Sequence, residues 1–177
     1  MKDFKDLVQK RRSIRNFKNE ELKSEDLKLI LRAGLMSPTG KSVRGWHFII
    51  VDDKDKLSKI AQCRHTGATF VADAPVAVVV LYDTSLSDVW VEDASIAAIT
   101  MQYQAADLGI GSCWIQIRSR TQEDGTMADE VLRDILGYPL SMSALSVVAF
   151  GYPLIERKPQ DEEKLKWENV HINLFKE

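Results

Sequence analysis

Arg11, Ser13 and Arg15 alternate within the stretch "QKRRSIRNFKNE", residues 9–20. Five cations fall between Lys10 and Lys18, around only two large apolar residues, Ile14 and Phe17. If the chain is extended there, alternation puts two guanidiniums and a hydroxyl on one side. That set suits a phosphate: the guanidinium fork matches its oxygens and the hydroxyl adds a donor. The spacing alone leaves a solvated basic face equally open.

The rest of the chain limits the anion. The 177 residues carry 24 Lys and Arg against 26 Asp and Glu, a formal net charge of -2. A general nucleic-acid surface usually needs a basic domain, so no nucleic-acid partner is expected. The apolar run "APVAVVVLY" from Ala74 is too short to span a bilayer, so no membrane partner is expected either. The charged start "MKDFKDLVQKRR" lacks the apolar core of a signal peptide, and two cysteines make no disulfide framework. A reduced, cytoplasmic setting follows as the expectation.

Other chemistries find little support. "GIGSCW" (109–114) has two glycines of a dinucleotide fingerprint, but Trp114 stands where the third belongs and a strand follows where a helix should. His47, His65 and His171 are far apart, and Cys63 with His65 lacks a partner pair at ligand spacing, so no metal is expected. No GxSxG elbow occurs, and Cys113 reads as a small buried hydrophobe. The carboxylate groups Glu92-Asp93 and Asp161-Glu162-Glu163 read as ordinary helix-face or solvated charges.

Several elements must position these residues. Phe4, Leu7 and Val8 have helical spacing within 3–12. Ser24 is placed to cap a second helix that ends at "SPTG". "WHFIIVDD" (46–53) reads as a strand, with Asp53 capping a third helix. "APVAVVVLYD" (74–83) is a strand covered on both faces. A long helix over 88–108 carries Ala94, Ala97, Ala98, Met101 and Ala105 on one side, with Gly109 at its end. "SCWIQI" (112–117) and "ALSVVAFG" (144–151) are strands flanking a helix near 127–136. Beyond Gly151 the chain turns polar yet keeps Trp167, Val170, Ile172, Leu174 and Phe175, more than a disordered tail usually holds. An arm packed on this or another subunit is expected.

Four segments together resemble the FMN-dependent nitroreductase family: "RRSIRNF" (11–17), "ILRAGLMSPTGKSVRGWHFIIV" (30–51), "LGIGSCWIQI" (108–117), and "AFGYP" followed by "ERKP" (149–159). The resemblance implies an α+β, three-layer α/β/α fold with a central mixed sheet flanked by helices. It implies one domain over 1–177, with about 153–177 a C-terminal arm exchanged with the partner of a homodimer, and FMN at the interface. Arg11 and Ser13 match phosphate and ribityl contacts, with Arg12 beside them, and Arg15 matches the cation near the pyrimidine edge. Pro38, Thr39, Gly40 and Ser42 match the loop reaching the other subunit's flavin. Trp114, Ile115 and Gln116 match the strand along the ring, and Arg157 or Lys158 the late phosphate cation.

The implied activity is NAD(P)H oxidation. NADH or NADPH, as transient reductant, passes hydride to flavin N5, then a small-molecule nitroaromatic, quinone or similar conjugated acceptor takes its place. One pocket used in turn gives ping-pong kinetics, and no catalytic side chain is required because the flavin carries the chemistry. The chain departs from the family's Asn-x-Gln-Pro-Trp loop ending with Ser42-Val43-Arg44-Gly45-Trp46, where Gly45 loosens a turn that proline would fix. Gln116 replaces a small residue. Both changes keep open an alternative, a flavin-binding sensor or carrier without general reductase turnover.

Overall fold

The computed structural model describes residues 3–175. Residues 1–2 and 176–177 of the expected 1–177 domain lie outside them. Helix α1 covers Phe4–Lys10, α2 Ser24–Leu35, α3 Lys54–Ile60, α4 Trp90–Asp107 and α5 Ala128–Leu136; the strands are β1 Trp46–Val51, β2 Val76–Asp83, β3 Gly111–Gln116 and β4 Met142–Gly151.

The strands form one sheet in the order β1-β2-β4-β3, with every adjacent pair antiparallel. Parallel pairing, expected of a mixed sheet, is confined among the described residues to an isolated bridge from Ser13 to Ser112.

β2 lies inside the sheet, and its first seven residues are all buried. Its alternate side chains feed two cores. Ala77, Val79 and Leu81 meet Leu57 and Ile60 of α3 and Leu132 of α5. Val78, Val80 and Tyr82 meet Ile30 of α2 and Ala94, Ala98 and Met101 of α4. The result is three layers, helix pairs on both faces of the sheet. Leu57, Ile60 and Ile30 are fully buried, and each such side chain contributes about 1.5–3 kcal/mol. Ala94, Ala97, Ala98 and Ala105 of α4 are fully buried in that second core.

Asp3 and Asp53 cap α1 and α3, while α2, α4 and α5 start without a side-chain cap bond. Asp53 accepts from the Lys56 amide at 2.8 Å, capping α3. Gly109 follows α4 at φ 79°, the left-handed region where glycine is unstrained. Ser24, however, is the first helical residue of α2, and Lys23 occupies the cap without a side-chain bond.

The segment after α1 is extended along the rims of β3 and β4. Ile14 N donates to Ser112 O at 2.9 Å, Lys18 N to Tyr152 O at 2.9 Å, and Leu154 N to Asn16 O at 3.0 Å. Glycines admit its two apolar side chains. A Cβ on Gly111 would stand 2.9 Å from Ile14, and one on Gly151 2.7 Å from Phe17 Cδ1. Gly111 in "GIGSCW" therefore serves packing against Ile14.

Past Pro153 the described chain is exposed but for two half-buried positions, Pro153 itself and His171, with short 3-10 turns at Glu162–Lys164 and Trp167–Asn169. Trp167 is 70% exposed and Phe175 78%. Within one chain, the apolar arm is uncovered.

Candidate functional site

Ile14, buried at the β3 rim, fixes the directions of its neighbours. Arg11, Ser13 and Arg15 all act on the buried Cys113 thiol. Burial pushes that thiol up, while Arg15, a Ser13 hydrogen bond and Arg11 pull it down. Ser13 and Arg15 line one cavity and Arg11 another, so the alternation does not gather all three in a single wall. Arg12 is tied to the tail, its Nη1 donating to Lys158 O at 2.6 Å and to Pro159 O at 3.3 Å.

Of the cavities along this segment, two share Ile14 and Arg157. One, about 310 Å³, has Arg11, Arg12, Arg157, Gly111, Ser112 and Glu156 in its wall. The other, about 270 Å³, is lined by Ser13, Arg15, Asn16, Ile155 and Arg157. Arg157 thus joins the cluster from the opposite end of the chain, whereas Lys158 lines neither and lends its carbonyl to Arg12. The donor set, guanidiniums with the hydroxyls of Ser13 and Ser112, fits the phosphate of FMN, with Glu156 the single carboxylate in these two walls.

The β3 residues divide by face. Ile115 is 1% exposed and belongs to the core with α3 and α5. Trp114 packs toward α4. Gln116 is engaged locally: Trp114 Nε1 donates to its Oε1 at 3.0 Å, its Nε2 donates to Arg118 O at 2.9 Å, and Arg64 Nη1 donates to its backbone oxygen at 2.8 Å. The Arg15 guanidinium lies 5.8 Å from the Phe70 ring centroid. The stretch from Arg64 to Phe70 thereby meets both β3 and Arg15.

Pro38, Thr39, Gly40 and Ser42 are not beside this cluster in the same chain. Gly40 N donates to Asp93 Oδ1 at 2.8 Å, in the first turn of α4. Ala106, near the other end of α4, helps line the Arg11 cavity. A helical rise of about 1.5 Å per residue separates Asp93 from Ala106 by about 20 Å. The sheet register agrees. Trp46, after the loop, pairs with Tyr82 at one end of the outer strand β1, while Ser112 pairs with Phe150 at the other end of β3. The two sets occupy diagonal corners.

Asp93 corrects an expectation. It is 3% exposed, and besides Gly40 it accepts from Tyr82 OH at 2.9 Å. A signal was available, because Asp93 stands four residues before Ala97 on the small-residue side of α4. Gly45 also differs from expectation. A Cβ there would stand 2.5 Å from Tyr82 Cε1, so the glycine tightens the turn against an aromatic ring instead of loosening it.

The nitroreductase family model matches residues 8–67 and 62–152. An FMN-dependent nitroreductase from Clostridium difficile R20291 is 44% identical, superposes with a TM-score of 0.93, and aligns over 96% of this chain and 98% of its own. A protein of Archaeoglobus fulgidus, provisionally named NADH dehydrogenase/NAD(P)H nitroreductase, is 34% identical over 161 residues, 89% of each chain. One of Methanothermobacter thermautotrophicus with the same provisional name is 35% identical over 173 residues, 96% of this chain and 86% of its own. Sequence motifs, three-layer fold and relatives agree: the chain belongs to the nitroreductase family.

Proposed function

We propose that this chain is an FMN-dependent NAD(P)H oxidoreductase working as a homodimer, with a nitroaromatic, quinone or similar conjugated compound as acceptor. The observation that carries the reading is the Arg11, Ser13, Arg15 and Arg157 donor set along β3, in a chain 44% identical to an FMN-dependent nitroreductase. Bound FMN supplies the hydride chemistry, taking hydride from NADH or NADPH and giving it to the acceptor in turn.

The protein groups bind and orient. Arg11 and Arg157 are assigned to the phosphate, with the Ser13 hydroxyl next to them. Between these two, Arg157 is favoured over Lys158 because it faces both cavities. Arg15 is assigned to the pyrimidine edge, where fixed positive charge stabilises negative charge gained on reduction. The β3 backbone at Trp114, Ile115 and Gln116 is assigned to the ring.

A second copy completes the site. Pro38, Thr39, Gly40 and Ser42 lie at the far corner of the sheet, so their role requires the partner's loop. The exposed arm supports the same assembly, since Trp167, Val170, Ile172, Leu174 and Phe175 are 61–78% exposed in one chain. Truncation after Lys164 is expected to weaken the dimer; a shortened protein that sediments as the full dimer refutes the exchanged arm. Among the described residues, no helix is long and apolar enough to cross a membrane. The free cysteines Cys63 and Cys113 suit the proposed cytoplasmic setting.

The deciding experiment is steady-state oxidation of NADH and NADPH with a quinone acceptor, alongside release of flavin on denaturation. Parallel initial-velocity lines from a yellow, FMN-releasing protein are expected. Tight FMN with no turnover by either reductant would favour a sensor or carrier instead.

A further inference from the structure

Three non-glycine residues in the loop before β1 have left-handed backbone: Lys41 (φ 52), Ser42 (φ 57) and Arg44 (φ 55). Side-chain-bearing residues rarely adopt this region, so the surroundings must hold it. Both ends of the loop are clamped. Gly40 is bonded to buried Asp93 and abuts Val89, where a Cβ would stand 2.7 Å from Val89 Cγ2. Gly45 abuts Tyr82, and its oxygen accepts from Asp83 N at 3.0 Å. Thr39 Oγ1 accepts from Arg44 N at 3.1 Å across the turn.

Between the clamps, Lys41 and Arg44 are exposed. Among the described residues, neither forms an ion pair. A backbone clamped at both ends thus presents two cations outside any ion pair, three positions apart. Ordinary solvated lysines and arginines do not require such a frame.

We propose that Lys41 and Arg44 make the site selective for acceptors carrying an anionic group, a carboxylate or sulfonate on the conjugated ring. The inference rests on the proposed function, in which this loop reaches the cofactor site of the second copy. Two positive charges at the mouth of that site attract an anionic acceptor and leave a neutral one unaffected. Exposed charge pairs are each weak, so the combined effect of the two is about tenfold in relative affinity. Salt screens it, because both side chains meet solvent.

4-Nitrobenzoate and 4-nitrobenzamide form a suitable probe pair, nearly equal in shape and different in charge. The holoenzyme and the Lys41→Asn/Arg44→Asn double variant are compared with NADH held constant. Asparagine removes the charge and tolerates left-handed backbone better than most residues. The ratio of kcat/KM for the carboxylate to that for the amide is expected to fall about tenfold in the variant, and to fall in the unaltered enzyme as salt rises. Equilibrium binding of both probes to the oxidised holoprotein, followed by flavin absorbance, supplies the same ratio without turnover. If both ratios are the same in variant and unaltered protein, the selectivity assignment is overturned. If neither probe is reduced and a quinone also fails as acceptor, the oxidoreductase reading fails; in either case the binding ratio decides the role of the loop.

Discussion

The Tyr82 hydroxyl donates to Asp93 Oδ2 at 2.9 Å, while Asp93 Oδ1 takes the Gly40 amide at 2.8 Å. One buried carboxylate therefore joins β2, α4 and the loop proposed to serve the second copy's cofactor. Tyr82→Phe leaves that carboxylate short of a donor and is expected to destabilise the fold by roughly 1.5–3 kcal/mol. Urea unfolding measures this, and a midpoint equal to the parent's would show the bond to be dispensable.

Gly45→Ala tests the other clamp. The new methyl would meet the Tyr82 ring at 2.5–3.1 Å, an overlap that ring and turn must relieve by moving, at a cost of about 1–3 kcal/mol. Gly109→Ala is the control: it meets nothing within 4 Å and is strained only by φ 79°. Gly45 is not among the left-handed glycines, so a Gly45→Ala midpoint equal to the parent's would show that the overlap is relieved without cost.

Alkali should unfold the protein through its buried tyrosines. Burial first, then the hydrogen bond to Asp93, raises Tyr82 above 10.0. Burial and then Asp129 raise Tyr138 further, its hydroxyl lying 2.7 Å from Asp129 Oδ1. A folded-state value above the unfolded one favours the fold fully below pH 10, and that contribution is lost as pH rises beyond it. Each such tyrosine steepens the decline by up to about 1.4 kcal/mol per pH unit. Tyr138→Phe should flatten the dependence by one group's share; an unchanged slope in pH-dependent urea unfolding would contradict its burial as the neutral form.

Flavin binding separates the late cations. Arg11→Ala and Arg157→Ala each remove a charged donor, a loss of roughly 1.5–3 kcal/mol, or about 10- to 100-fold in FMN affinity. Lys158→Ala should cost less, since only its backbone oxygen is used, by Arg12. Fluorescence titration of apoprotein with FMN measures all three. Equal losses for Arg157 and Lys158 would remove the geometric preference between them.

Periodicity and composition were enough for the local elements. β2 could be read from its β-branched run because burial on both faces leaves no polar alternation, and α3 from Asp53 because capping is a bond between near neighbours. Arg11, Ser13 and Arg15 alternate about Ile14, which is buried, yet Arg11 lines a different cavity from Ser13 and Arg15, a division that spacing does not contain. Long-range partners were not accessible in that way. Asp93 looks like a surface charge beside Glu92 until β2 brings Tyr82 against it, and Gly45 looks permissive until the same ring fills the space beside it. Arg157 and Lys158 are equivalent as neighbours in sequence; only the path of the tail past Arg12 turns one toward the cavities. The separation of the Pro38–Ser42 loop from the arginine cluster likewise belongs to strand order and the length of α4. Residue type and spacing specify what a side chain can do, while contacts between distant segments depend on the closure of the whole core and decide where it does so.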